Sequence, residues 1–177
     1  TTGSWANFEN PNFKLISVNT ARYDTTKHLA TPVISDAKVG LGQISEALGD
    51  WKAPDSWYQK AIEERDKWET YVLKQSGPTN QKEPSYAHAV GAIYRNSDPS
   101  DIVVTAAGGL VGEVVQIWKP KMLNTFETEW GFSCMGYEIS GALGIKMAKP
   151  DQEVVVFVGD GSYLLNNSDI YSSILYD

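Results

Sequence analysis

Between Asp101 and Asp160 the chain alternates short apolar, β-branched runs with stretches of helical spacing. This alternation restricts the fold more than any other feature. "DIVVTAAGG" reads as a buried strand ending at Gly108 and Gly109, "LVGEVVQIW" as a short helix and "KMLNTFE" as a second strand. "CMGYEISGALGIKMAKP" follows as a helix with small residues at Gly136, Ser140, Gly141 and Gly144, and "EVVVFV" as a third strand. A helix, "SYAHAVGAIYRNS", precedes these elements; another, "SDIYSSIL", capped near Asn167, comes after them. Continuous apolar strands alternating with helices predict an α/β fold, a parallel sheet with flanking helices.

Upstream, "KLISVN" is a short β-rich run, and "DAKVGLGQISEALGDW" shows helical spacing at Val39, Leu41, Ile44, Ala47 and Leu48, with a stop at Gly49-Asp50. That is the end of another α/β unit. Pro54-Asp55-Ser56 opens a new helix with Asp55 or Ser56 as its cap. Trp57, Ala61, Trp68 and Tyr71/Val72 form its apolar stripe, and "EERDKWE" its charged face, as in a solvated linker helix lying across a neighbouring domain. "QSGPTNQKEP" carries glycine, two prolines and no apolar period, which marks a boundary. The expected organisation is residues 1–50 as one partial domain, 51–84 as linker helix and loop, and 85–177 as a second domain.

Net charge is −7, which argues against a nucleic-acid surface, because neutralising phosphates needs a basic face. A phosphate-bearing cofactor is still allowed, since backbone amides and a metal can hold one without lysine. The single cysteine, Cys134, excludes an internal disulfide framework and fits a reducing compartment. No apolar run approaches a membrane span and no leader opens the chain, so a cytoplasmic protein without a membrane partner is expected. "TTGSWANF" begins without methionine and reads as the middle of something longer.

The candidate site is "VVVFVGDGSYLLNNSD". In open α/β sheets ligands bind beyond the carboxyl ends of the strands, where Asp160 falls. Gly159 and Gly161 free the backbone to turn and to approach a ligand, and the amides of Gly161 and Ser162 can face an anion. A lone aspartate suits Mg²⁺, which takes its remaining ligands from phosphates and water. Gly108-Gly109 offers a second close approach. By itself, a Gly-Asp-Gly after a strand is also an ordinary turn, and Met135 is also an ordinary core residue.

Two signatures in series change that balance. "EWGFSCMGYEISGALGIKMA" places a Gly-x-x-x-Met-Gly loop ahead of a glycine-rich helix, and the strand ending in "GDGS" comes next. The combination resembles the thiamine diphosphate-dependent enzymes, in the branch containing acetolactate synthase and pyruvate oxidase. The resemblance makes residues 85–177 the start of their diphosphate-binding domain and residues 1–50 the end of a Rossmann-like middle domain. It implies thiamine diphosphate and Mg²⁺ as cofactors, with Asp160 as metal ligand. Gly159, Gly161 and Ser162 would cradle the diphosphate, and Gly108 and Gly109 form its first contact loop. Met135 would be the wedge that bends the cofactor, the Ser133 carbonyl the contact to its aminopyrimidine, and Cys134 a small buried neighbour. "VGDGSYLLNNSDIYSSIL" and "TAAGGLVGE" are further similar to the hydrolases that open a cyclic 1,2-dione in myo-inositol breakdown. That similarity implies a cyclic dione as substrate and a homodimer or homotetramer as the assembly. The catalytic glutamate, the second metal-ligating segment and full activity would lie outside these residues. An acetolactate synthase, a 2-oxoacid decarboxylase, a non-catalytic folded fragment and an unrelated phosphate-binding α/β domain are the alternatives.

His28 and His88 lack metal-ligand spacing and read as loop and helix-surface residues. Glu127 and Glu129 flank the Met-Gly loop, either as exposed carboxylates or within reach of substrate. Asn167 reads as a helix cap and Asn166 as a diphosphate-side contact.

Overall fold

The computed structural model describes residues 10–129 and 131–175; the opening "TTGSWANFE" lies outside the described residues. The chain divides into two compact units, Thr1–Tyr58 and Gln59–Asp177.

In the first unit, β1 (Ile16–Asn19) pairs in parallel with β2 (Thr31–Ile34), with Ile16 opposite Thr31 and Asn19 opposite Ile34. The second strand, "TPVI", was not anticipated: it is four residues long and contains a proline, so it lacks the usual strand signal. Between the strands lie the short helix α1 (Arg22–Thr25) and a 3₁₀ turn at Lys27–Leu29, which places His28 in the left-handed region. Helix α2 (Ala37–Leu48) starts where Asp36 accepts bonds from the amides of Lys38 and Val39, and it stops at Gly49, whose φ of 54° favours glycine.

Helix α3 (Asp55–Ser76) begins at the expected place, but neither Asp55 nor Ser56 caps it. The Pro54 carbonyl accepts the amides of Trp57 and Tyr58, which leaves Asp55 inside the first turn. The expected apolar stripe is mostly uncovered as well. Trp57, Trp68 and Tyr71 are exposed, and only Val72 reaches a core.

The second unit is built on a three-stranded parallel sheet in the order β4-β3-β5. β3 (Ile102–Thr105) is central and buried along its whole length, which is why it reads as an unbroken apolar run. β4 (Phe126–Thr128) and β5 (Val154–Val156) flank it, with Val103 opposite Phe126 and Val155. Of "KMLNTFE", only the last residues form strand; Asn124 in the left-handed region turns the chain into it.

Alternation along β3 sends side chains to both faces. On one face Val103 packs with Val72, with Ala87 and Val90 of α4 (Tyr86–Asn96), and with Val114 and Ile117 of α5 (Gly109–Ile117). Trp118 closes this layer edge-on to Tyr94 and Phe157, with ring centroids 5.3 and 5.8 Å away. On the other face α6 (Tyr137–Ala148) lies against β3 and β5. Each fully buried valine or isoleucine here contributes roughly 1.5–3 kcal/mol through apolar burial. Gly91 lets α4 approach the end of α3: a Cβ there would run into the Ser76 carbonyl, which also accepts a bond from Arg95 at 2.6 Å.

His88 is no idle surface residue. Its Nδ1 accepts the Ser85 amide at 3.1 Å while Ser85 Oγ accepts the His88 amide, a reciprocal cap at the start of α4. After β5 the chain enters α7 (Asp160–Asn166) without an open turn, and α8 (Ser168–Leu175) comes directly after it.

Candidate functional site

The carboxyl ends of β3 and β5, together with the segment before α6, enclose an open cavity of 720 Å³. Its wall includes Ala107, Gly108, Gly109, Leu110, Ser133 and Met135, and it continues through Gly159, Asp160, Gly161 and Ser162. Its volume falls within the roughly 300–1,000 Å³ of small-molecule and cofactor sites. Of the residues expected at the metal and cofactor, Gly108, Gly109, Ser133, Met135, Gly159, Asp160, Gly161 and Ser162 line it; Cys134, which is exposed, and Asn166 do not. The expected burial of Cys134 is therefore corrected: its amide donates to Glu129 at 2.7 Å, at the tip of a loop.

Gly108 has a φ of 88° and immediately precedes α5. A Cβ added at Gly108, Gly109 or Gly159 would meet no atom within 4 Å, so the backbone there borders open space. The first-turn amides of α5 lack partners within the helix and carry its positive dipole end, a setting suited to an anion. Gly161 is different. A Cβ there would sit 2.8 Å from Met135 Cε, so Met135 fills the space over Gly161 and remains half exposed to the cavity.

Asp160 is exposed and is the first residue of α7. One of its oxygens, Oδ1, accepts the Gly161 amide at 2.9 Å. That amide, expected to face an anion, is thus engaged by the carboxylate itself. Ser162 is buried beside it. No cluster of three or more His, Cys, Asp or Glu side chains with metal-binding geometry occurs among the described residues. A metal at Asp160 would take one carboxylate from this unit and its other ligands from phosphate or water, which is within the habit of Mg²⁺.

The loop before α6 is held by two carboxylates. Glu129 Oε1 accepts the Phe132 amide at 2.9 Å and Oε2 the Cys134 amide at 2.7 Å. These bonds, the one from Cys134 foremost, hold the Glu129 carboxyl below the ordinary glutamate value. Glu129 therefore braces the loop. Ser133, between its anchors, adopts a φ of 51°, and Gly136 has one of 96°. Glu138 is the second carboxylate. It is fully buried and accepts the Gly136 amide at 3.0 Å and the Ala107 amide at 3.2 Å.

Sequence reasoning missed Glu138, because a glutamate in the first turn of a helix reads as solvated. It also missed Tyr86, the first residue of α4, which reaches the cavity wall. Asn166, expected at the ligand, instead donates to the Gly136 carbonyl and to Ser140 Oγ, supporting the α6 turn from behind. Asn167 is the residue joining α7 to α8, and its carbonyl accepts the Ile170 amide.

Residues 106–177 match the family described as thiamine pyrophosphate enzyme, C-terminal TPP binding domain. The chain is also similar to 3D-(3,5/4)-trihydroxycyclohexane-1,2-dione hydrolases. It is 33% identical to that of Geobacillus thermodenitrificans over 91% of this chain and 28% of the relative. It is 33% identical to that of Bacillus licheniformis and 34% identical to that of Bacillus velezensis, each over 99% of this chain and 31% of the relative. The chain thus spans about 30% of the length of these curated relatives. The stretch that matches this family, residues 106–177, holds most of the cavity wall.

Proposed function

We propose that this chain is part of a thiamine diphosphate- and Mg²⁺-dependent hydrolase that cleaves a C–C bond of a cyclic 1,2-dione. The substrate class is 3D-trihydroxycyclohexane-1,2-dione, opened to 5-deoxy-glucuronate in myo-inositol catabolism. The observation that carries the reading is the cavity itself, where the glycine-lined strand ends, Asp160 and Met135 meet inside a segment that matches the binding-domain family. Similarity to the dione hydrolases supports the choice of substrate.

The residues fit the cofactor. Gly108 and Gly109 leave room for a diphosphate against the start of α5, and Asp160 supplies one oxygen ligand for Mg²⁺. Ser162 adds a hydroxyl at the same wall. Bound thiamine diphosphate supplies the nucleophilic carbon and electron sink that cleavage beside a carbonyl requires. Met135, over Gly161, gives the cavity a bulky apolar step and would be the side chain that holds the cofactor's shape. The Ser133 carbonyl is assigned to the aminopyrimidine, and the carboxylate that activates the cofactor is assigned to another part of the full protein. Cytoplasmic location and a homodimeric or homotetrameric assembly belong to the same proposal. No helix among the described residues is long and apolar enough to cross a membrane.

The test is an assay of the full-length protein with thiamine diphosphate and Mg²⁺, offering the cyclic dione and pyruvate in parallel. Ring opening of the dione with no acetolactate from pyruvate is the expected result. Acetolactate formation without dione cleavage would overturn the substrate assignment.

A further inference from the structure

Glu138 does what no motif assigns to it. It has no exposed surface, and none of the ion pairs among the described residues involves it. A carboxylate taken out of water is costly unless its oxygens are hydrogen-bonded. Both Glu138 oxygens are, and to two different segments that contribute to the cavity. Oε1 accepts the amide of Ala107, in the loop after β3, and Oε2 accepts the amide of Gly136, at the turn into α6. The two amides are 29 residues apart in sequence (136 − 107) and share this one side chain. Ala107 lines the cavity beside Gly108, and Gly136 is preceded by the lining residue Met135, so the carboxyl group ties two lining segments together while staying out of the wall itself.

We infer that Glu138 is a positioning residue that sets the spacing between the two walls, so that a ligand touching Gly108-Gly109 and Met135 meets a pre-set gap. The inference rests on the proposed cofactor reading for its ligand but on geometry alone for the linkage. Two N–H groups need two acceptors, and the two carboxyl oxygens of Glu138 supply one each. The pre-set gap matters because a ligand that must order two loops loses affinity to the cost of ordering them.

Glu138→Gln separates positioning from bulk stability, since it keeps shape and volume but replaces one acceptor by a donor. Amide hydrogen exchange is measured first on the protein without cofactor. Exchange at Ala107 and Gly136 should quicken, while the amides of β3 keep their protection. Thiamine diphosphate with Mg²⁺ should then bind about tenfold more weakly by calorimetry, a change of about 1.4 kcal/mol, and saturating cofactor should restore slow exchange at both loops. If Glu138→Gln does not fold, Glu138→Asp is used: it keeps the charge but is one methylene short, and the same pattern is expected. Unchanged exchange at Ala107 and Gly136 would overturn the linkage. Exchange quickened throughout the unit, with an unchanged cofactor affinity after correction for folding, would reduce Glu138 to a structural residue. Failure of the unaltered protein to bind thiamine diphosphate would sink the cofactor reading, while the exchange data would still decide whether the carboxylate holds the two walls.

Discussion

In the unit up to Tyr58, a parallel strand pair and the helix α2 leave Ile16, Ile34, Val39, Leu41 and Leu48 exposed, and among the described residues only Thr25, Ala30 and Gly40 are buried. In the unit from Gln59 onward, β3 hides all four of its residues and helices cover it on both faces. Similar sequence patterns produced strands and a helix in both units. What differs is cover. A strand with partners on both edges and helices on both faces has its apolar side chains enclosed by its own unit, whereas a two-stranded pair encloses almost none. The cavity sits on the enclosed unit, and this is physically sensible: walls that must hold a ligand to within fractions of an ångström need rigid elements beneath them.

A matched pair of isoleucines tests this comparison most severely. Ile102→Ala, at 1% exposure in β3, should destabilise the second unit by about 2–5 kcal/mol through lost burial and a residual cavity. Ile34→Ala, at 47% exposure in β2, should cost less than about 1 kcal/mol. Chemical denaturation of both variants gives the two numbers. A large effect at Ile34 would show that residues outside the first unit cover that strand.

Gly91→Ala comes next. Its Cβ would meet backbone at the α3–α4 seam, so the helices must part, at a cost of about 1–3 kcal/mol. A variant as stable as the parent would mean that α4 does not approach α3 this closely.

The smallest effect concerns the loop wall and pH. The Glu129 carboxyl is held below its ordinary value, about 4.3, by the amides of Cys134 and Phe132. A lowered carboxyl value stabilises the folded loop above the ordinary value, and this support disappears as pH falls through the lowered one. Amide resonances of Phe132 and Cys134 should therefore titrate with a midpoint below that ordinary value of about 4.3. A midpoint at or above that value would contradict the brace.

How much of this was legible in the sequence depends on the kind of signal each residue carries. The strand–helix order of the second unit was readable, because β3 and β5 are apolar runs and α6 opens at a glycine. The strand-end glycines and Asp160 were readable as one site because sheet topology brings carboxyl ends together whatever the loops do. β2 was not, since "TPVI" is short and proline-bearing. Nor was α7, since Gly-Asp-Gly-Ser has turn composition and its helix packs on α6, a contact with no local signature. Glu138 and Asn166 were unreadable or misread for a shared reason: their partners lie far away in sequence or across a turn, and hydrogen bonds of that kind leave no local pattern. Cys134 was misjudged because neighbours at the cavity wall, Ser133 and Met135, do not determine which way the residue between them points.

The proposed function depends above all on the cavity at the strand ends holding a diphosphate through a metal on Asp160. Calorimetric titration of thiamine diphosphate into the full-length protein, with and without Mg²⁺, compared with Asp160→Ala, tests it most directly. The expected result is Mg²⁺-dependent binding that Asp160→Ala abolishes while circular dichroism and thermal unfolding stay as in the parent. Binding of equal affinity in the variant, or binding indifferent to Mg²⁺, would contradict it.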